Sequence, residues 1–231
     1  MNTKTIPPGP AIIVAGLVIA IAIFITNSPK GNFAVKTGAD KADTANTESA
    51  PATLTFNLKD PGEHVSGSSK PKVVIVEYSD IDCPFCIRFH PVLQQAVKEY
   101  EGQVAWIYRH FPLEGLHPDA FTKAMATECV AQSLGNDAFW NYLDTLITKK
   151  VGVDQLDDEA IKLGMSADDF TNCMASAEVK SAVQADIESG IALGTEGTPN
   201  SILVNEAGEQ EFIKGAADYA DVKAKIDKLL G

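Results

Sequence analysis

The chain has 231 residues, of which 45% are hydrophobic and 22% charged, a composition typical of one globular domain with an appendage. This composition excludes a disordered, collagen-like or disulfide-dense miniature protein. The formal net charge is −12, and residues 54–231 contain 28 acidic but only 15 basic side chains. Because no run of Lys or Arg offsets this charge, the domain would repel phosphate backbones, and we expect no nucleic-acid partner.

An uncharged apolar run, AIIVAGLVIAIAIFI at residues 11–25, is typical of a targeting segment. As a helix, residues 6–26 would span about 31 Å, close to the roughly 30 Å hydrocarbon layer of a bilayer. No A-x-A-like arrangement of small residues follows the run. Residues 1–26 are therefore predicted to be an uncleaved signal-anchor, with a cleaved signal peptide or a buried core helix as alternatives.

Residues 27–53 are rich in Ala, Thr, Asn, Ser and Asp. Such a segment cannot bury enough apolar surface to order itself and is predicted to be a flexible linker. The folded domain is expected to occupy residues 54–231.

The first half of this domain has the pattern of a β-α-β unit. The β-branched apolar run at residues 72–79 predicts a central strand buried on both faces. Pro84 suits the first turn of a helix, which apolar spacing extends to about residue 100. Residues 103–111 predict a second strand, parallel to the first.

A long helical segment separates this unit from the end of the chain. Residues 118–194 are predicted to form four or five helices and no strand. Residues 201–204 and 210–213 then predict a hairpin, and residues 219–230 a final helix. The α/β order predicts a thioredoxin-like fold with a large helical insertion between its β-α-β and β-β-α halves.

Two cysteines lie where the first strand ends and its helix begins, in the order Cys83-Pro84-Phe85-Cys86. Unpaired N–H groups and the helix macrodipole favour the thiolate of Cys83 at this place. One helical turn brings Cys86 close enough to resolve a mixed disulfide. We therefore expect a redox pair, with neither a metal nor a cofactor. The alternatives are an inert structural bridge and half of a zinc site, for which no second C-x-x-C or His pair is present.

The segment VEYSDIDCPFC at residues 76–86, with GTP at 197–199 and helices between, resembles the DsbA-like thiol-disulfide oxidoreductases. The resemblance covers residues 60–231 and is strongest to the membrane-anchored, BdbD-like branch. The segment GEHVSG at residues 62–67 is similar to the lead-in of that branch. It implies a thioredoxin fold and the activity of a protein disulfide oxidoreductase.

The resemblance also assigns roles around the cysteine pair. Glu77, whose pKa burial in an apolar strand would raise, is implied to shuttle protons; alternatively it is a strand-end carboxylate paired with a surface lysine. Pro199 matches the family's cis-proline, and it is implied to bind client chains together with Thr198, Pro84 and Phe85.

Phe85 differs from the histidine that the strongest oxidants of the family carry at this place. The reduction potential is therefore open between about −270 mV, as in thioredoxin, and about −120 mV, as in DsbA. Arg88 and His90 on the same helix either raise the thiolate population or are merely solvated residues.

Two further features lie in or beside the predicted insertion. The resemblance implies a structural disulfide between Cys129 and Cys173, while two buried thiols or a second redox centre remain alternatives. An even cysteine count supports an oxidising compartment. The loop that contains His117 and Pro118 matches a loop of the BdbD-like branch and is predicted to be structural.

These expectations combine into a membrane-tethered, single-pass, extracytoplasmic enzyme, periplasmic or extracellular, that introduces disulfide bonds into secreted or envelope proteins. Its partners would be reduced or unfolded secreted proteins and a DsbB-like membrane thiol oxidase that reoxidises it, and the chain would be monomeric. The alternatives are a reductase or isomerase of the same fold, and a chaperone-like peptide-binding domain with a structural disulfide. A dimeric isomerase would need a dimerisation domain, for which residues 27–53 are too sparse.

Overall fold

The computed structural model describes residues 54–231, so the signal-anchor and linker expected before Leu54 lie outside the described residues. The strands are β1 (His64–Gly67), β2 (Val73–Ser79), β3 (Val104–His110), β4 (Asn200–Asn205) and β5 (Gln210–Lys214). The α-helices are α1 (Pro84–Glu99), α2 (Ala120–Leu134), α3 (Asn136–Lys149), α4 (Leu156–Lys162), α5 (Ala167–Met174), α6 (Ala177–Ala192) and α7 (Tyr219–Leu230), with a 3-10 turn at Val153–Gln155. Within residues 54–231 no helix is long and apolar enough to cross a membrane.

The five strands form one mixed sheet in the order β1-β3-β2-β4-β5. Strands β2 and β3 are parallel, and all other neighbours are antiparallel. The β2-α1-β3 unit and the β4-β5-α7 unit are separated by the helices α2–α6. The predicted thioredoxin-like fold with a helical insertion is confirmed, and no strand lies between residues 118 and 194.

Strand β1 is an edge strand that the sequence did not predict. Its four residues, HVSG, are too few and too polar to show an apolar alternation, and the strand exists because it pairs antiparallel with β3. Gly67 ends it with φ of +95°, and a Cβ there would lie 2.6 Å from the carbonyl oxygen of Val104. Only glycine tolerates both the backbone conformation and this close approach.

Alternate residues of β2 face two separate apolar layers, because successive side chains of a strand point to opposite sides. Val73 and Ile75 pack in the larger core with α1, α7 and much of the helical insertion. Val74 and Val76 pack in the second core, on the other face. By this alternation Glu77 lies on the face of Val73 and Ile75, beneath the helix that carries the cysteine motif.

The helical insertion is fixed to the sheet and cross-linked within itself. Cys129 of α2 and Cys173 of α5 form a disulfide with an S–S distance of 2.12 Å and a Cα–Cα distance of 5.7 Å. Helix α6 crosses the sheet closely at Gly190, where a Cβ would lie 2.7 to 2.9 Å from ring atoms of Phe111 and Tyr78. The insertion therefore packs as a part of the domain.

Candidate active site

The motif Cys83-Pro84-Phe85-Cys86 lies at the amino terminus of α1, with both cysteines present as free thiols. Cys83 is the N-cap, with extended backbone, and Pro84 occupies the first helical turn, where a missing N–H costs nothing. The N–H of Cys83 donates to the carbonyl of Asp80 at 3.2 Å, which closes the turn between β2 and α1. The turn and the cap together place one sulfur at the helix end and the other one turn further along.

Cys83 is the more acidic of the two thiols. A hydrogen bond from the Cys86 thiol lowers the pKa of Cys83 to about 5, against the opposing effect of burial and with help from the Cys86 backbone N–H. At neutral pH this sulfur is a thiolate, the form that attacks disulfides and that leaves most easily when attacked.

Cys86 has the opposite character. It is 2% exposed, against 4% for Cys83, and burial raises the pKa of its thiol far above the usual value. The backbone N–H of Asp80 donates to its sulfur at 3.5 Å. Cys86 is thus a protonated, protected thiol that must lose its proton before it can close a disulfide with Cys83.

Glu77 lies beneath the pair and is 1% exposed. Its Oε2 accepts a hydrogen bond from Trp106 Nε1 at 3.1 Å, whereas its Oε1 has no hydrogen-bond partner among residues 54–231. Burial raises the pKa of Glu77 to about 7, with the charge of His90 acting in the opposite direction. The charge of Glu77 in turn contributes to the raised pKa of Cys86. Glu77 can therefore exchange a proton near neutral pH, close to the thiol that needs to lose one.

The two other helix residues that the sequence singled out differ in their surroundings. Arg88 is exposed, and its guanidinium lies 5.1 Å from the ring centre of Phe85. His90 is 3% exposed, so the alternative of a solvated residue is wrong for it. Its Nε2 lies 2.6 Å from Asp144 Oδ1 in α3, and its ring meets Trp106 edge-on at 5.0 Å.

The Thr198-Pro199 bond is cis, and the Thr198 carbonyl oxygen lies 3.5 Å from the Cys83 sulfur, where it accepts a hydrogen bond from the protonated form of that thiol. A cavity of about 340 Å³ adjoins this loop and is lined by residues 194, 196–200 and 214–215. Phe85 is 53% exposed, so an apolar ring borders the reactive sulfur. The arrangement offers a client chain a backbone edge, a cavity and an aromatic contact.

Sequence reasoning did not identify the contact between Asp80, which adjoins the cysteine pair, and His117. The carboxylate of Asp80, which is 1% exposed, accepts hydrogen bonds at its Oδ2 from the N–H of Leu113 at 2.7 Å and from His117 Nδ1 at 2.9 Å. The signal in the sequence was the acid three residues before Cys83, within the quoted motif. His117 itself, 34 positions after Cys83, gave no signal of this contact.

One buried cluster among the described residues has side chains that bind metals in other proteins. Ligand atoms of His64, His110 and Glu128 all lie within 4.8 Å of one another. Glu128 Oε1 is 2.6 Å from His64 Nε2 and 3.3 Å from His110 Nε2, so the three groups form a hydrogen-bonded network. Burial opposes ionisation of Glu128, but the hydrogen bonds from His110 and His64 hold its pKa at about 2.

Solved structures with the same fold include DsbA2 of Pseudomonas aeruginosa, 24% identical, with a TM-score of 0.62 over 72% of this chain and 94% of that one. A periplasmic thioredoxin-like protein from Salmonella enterica serovar Typhimurium is 21% identical, with a TM-score of 0.61 over 74% of this chain and 92% of that one. Both likenesses concern the fold.

Curated relatives of similar sequence are longer proteins. One is the Na(+)/H(+) antiporter NhaA 1 of Mycolicibacterium gilvum, 30% identical over 147 residues, which are 62% of this chain and 23% of that protein. The matches to such antiporters cover between 11% and 25% of their length. The likeness therefore concerns one part of those proteins.

The family profile described as thioredoxin matches residues 59–228, which include every strand, every helix except the last two residues of α7, and the whole of the cysteine site. The chain belongs to the thioredoxin family, in the form with a helical insertion that DsbA-type proteins share.

Proposed function

We propose that this chain is a thiol-disulfide oxidoreductase that passes the Cys83–Cys86 disulfide to reduced client proteins. The observation that carries the proposal is the contrast within the buried pair: the pKa of the N-cap Cys83 is lowered to about 5, whereas that of Cys86 is raised. Such a contrast gives one sulfur for exchange with clients and one for resolution.

The reaction balances as two exchanges. A client thiolate attacks the Cys83 sulfur of the oxidised pair, the Cys83–Cys86 bond breaks, and Cys86 leaves and takes up a proton. A second client thiolate then attacks the client sulfur of the mixed disulfide, and Cys83 leaves as a thiolate. The client loses two electrons and two thiol protons; the pair gains the two electrons, Cys86 gains one of the protons, and the other passes to solvent. The low pKa of Cys83 makes it the better leaving group and favours release of the oxidised client.

Glu77 is the proton carrier of this scheme. Cys86 must gain a proton when the client is oxidised and lose one when the pair is reoxidised. A buried carboxyl with a pKa of about 7 can donate or accept that proton at physiological pH. Because Oε2 is held by Trp106 and Oε1 is unpartnered, the carboxyl is fixed in place and keeps a free oxygen.

The client would lie along the cis-Pro199 loop. Thr198 and Pro199 would present backbone to an extended chain, while Pro84 and the exposed ring of Phe85 would contact its side chains. Exposed aromatic rings serve this purpose well because they supply contact area at little cost in conformational entropy.

We further propose an extracytoplasmic site of action, a signal-anchor in residues 1–26 and reoxidation by a membrane thiol oxidase. The Cys129–Cys173 disulfide supports an oxidising compartment, since such bonds are rare where glutathione and thioredoxin keep thiols reduced. The periplasmic location of the Salmonella relative is consistent with this placement.

The decisive measurement is the equilibrium potential of the Cys83–Cys86 pair against glutathione, followed by turnover of a reduced two-cysteine client. A potential near −180 mV or above would support a disulfide donor. A potential near −270 mV would contradict the donor function and favour a reductase. The Cys83→Ser variant distinguishes an enzyme from the remaining alternative, a chaperone-like peptide-binding domain. A peptide-binding domain would keep its effect on client aggregation, whereas an enzyme would lose all turnover.

A further inference from the structure

Asp80 connects the loop after β3 to both cysteines. Its backbone N–H donates to Cys86 Sγ at 3.5 Å, and its carbonyl accepts from the N–H of Cys83 at 3.2 Å. Any group held on the side chain of Asp80 is therefore held at a fixed place relative to the redox pair.

The group held there is the imidazole of His117. The buried Oδ2 of Asp80 receives His117 Nδ1 at 2.9 Å, and the N–H of Leu113 fixes the same oxygen at 2.7 Å. The other oxygen, Oδ1, accepts the N–H of Asp82 at 2.8 Å. All of these bonds are made to a carboxylate with no water-exposed face, so the ring cannot leave without exposing an unpaired buried charge. The His117 side chain is itself only 19% exposed.

We propose that His117, oriented by Asp80, acts as a positioning residue whose imidazolium stabilises the Cys83 thiolate from outside the cysteine motif. The proposal rests on the thiol-disulfide exchange proposed above and deepens it. Position 85 between the cysteines carries Phe rather than a titratable side chain, so the cation that favours the reduced pair would come from a different loop.

The charges around His117 agree with this role. Burial lowers the pKa of His117, but the hydrogen bond and charge of Asp80 outweigh it, followed by the charges of Cys83 and Asp82, so that its pKa lies above the usual value. Asp82 is itself paired with Lys123 at 2.5 Å, so Asp80 and Cys83 are the anions near His117 whose charge Lys123 does not offset. Because the coupling between two charges is reciprocal, a thiolate that raises the pKa of His117 is stabilised by the same free energy.

Reduced and oxidised wild-type protein provide the first test. The ring protons of the four histidines can be titrated by NMR in both forms, and the His117 signal assigned by its loss in the His117→Gln variant. We expect the pKa of His117 to be higher by about half a unit or more in the reduced form, since the thiolate is present only there. A ring that serves only to anchor the loop would titrate identically in both forms, and this result would overturn the proposal.

The second test removes the cation. In His117→Gln we expect the pKa of Cys83, followed by thiolate absorbance, to rise by about half to one unit. The equilibrium constant for reduction by glutathione should fall about three- to tenfold, which is a shift of roughly 15 to 30 mV toward more reducing potentials. Glu114→Gln, an exposed charge change in the same loop, is the matched control and should move neither quantity.

Two outcomes are kept apart. If wild-type protein fails to exchange its disulfide with glutathione or client, the proposed function is wrong. If wild type exchanges and His117→Gln has the same Cys83 titration and the same equilibrium constant, the function stands and the role of His117 is refuted. Thermal unfolding of the oxidised His117→Gln protein would test whether this variant is folded. If the variant is unfolded, the NMR comparison of reduced and oxidised wild type alone decides whether His117 acts on Cys83.

Discussion

Trp106 on β3 donates its indole N–H to Glu77 on the neighbouring strand β2, so that one oxygen of a buried carboxyl is bonded at 3.1 Å and the other is left without a partner among the described residues. Neutral donors compensate poorly for the loss of water around a carboxylate, so burial outweighs the opposing effects of His90, Ser79 and Trp106 on the pKa of Glu77. The pair therefore holds the carboxyl in place while leaving its charged form expensive, which is why the pKa of Glu77 reaches about 7.

The first prediction concerns stability and pH. The pKa of Glu77 is about 7 in the folded chain and 4.5 when unperturbed, so between these values the folded state binds more protons. The free energy of unfolding should then fall as pH rises from about 4.5 through 7, by about 3 kcal/mol for this group. Glu77→Gln cannot ionise and should lack this loss, which urea denaturation at pH 5 and pH 8 would measure.

The control for this experiment is Glu206→Gln, which changes an exposed carboxyl in the turn between β4 and β5. That variant should follow the wild-type pH profile. If Glu77→Gln also loses stability in parallel with wild type, Glu77 is ionised throughout the range and the proton-carrier role fails with it.

The second prediction concerns the asymmetry of the two thiols. In the reduced protein, thiolate absorbance should rise with a midpoint near pH 5, because Cys83 ionises there while Cys86 stays protonated. At pH 7, brief treatment with iodoacetamide should add one group per folded chain, as measured by mass. Cys83→Ser should add none until the protein is denatured. Equal labelling of both thiols in the folded protein would contradict the assignment.

The third prediction separates client binding from chemistry. Phe85 is 53% exposed beside the reactive sulfur, so Phe85→Ser should remove apolar contact with a protein client but leave the sulfur chemistry intact. We expect client oxidation to slow about fivefold, equivalent to about 1 kcal/mol of binding, with exchange against glutathione unchanged. Phe212→Ser, which alters a ring that is 49% exposed on edge strand β5, is the matched control and should affect neither. Equal slowing with both substrates would place Phe85 in the chemistry instead.

The fourth prediction concerns the cross-link in the helical insertion. Cys129 and Cys173 are 44 positions apart, and the chain-entropy account gives at most about 4 kcal/mol for a loop of that length. Replacing both with Ala should lower the free energy of unfolding by up to this amount in urea titrations. The potential of the Cys83–Cys86 pair should not change, since α2 and α5 hold neither of its cysteines. A changed potential would show instead that the cross-link shapes the site.

Several features followed from local sequence alone. The β-branched run of β2, the turn and Pro84 at the start of α1 and the spacing of the two cysteines are short-range patterns, and each acts through its own backbone. They sufficed to predict the order along the chain of β2, α1, β3, β4, β5 and α7, and the helical insertion between the two halves, and they located the cysteine pair at the start of α1. The raised pKa of Glu77 was predictable because a carboxyl within an apolar strand is expected to be buried, and burial disfavours its charged form.

Other features were decided by contacts between distant segments, which local pattern does not encode. Strand β1 is stabilised by pairing with β3 some 40 positions later, and its own four residues carry no strand signal. His90 is buried because α3 packs over it and brings Asp144 to its ring, although its neighbours on α1 gave no sign of this. His117 reaches Asp80 only because the loop after β3 folds back over the end of β2. Sequence by itself therefore determined which candidate reactive groups the chain carries, and tertiary structure decided which charges surround them. The reason is that the pKa of a buried group depends on every atom within a few ångströms, whatever its position in the chain.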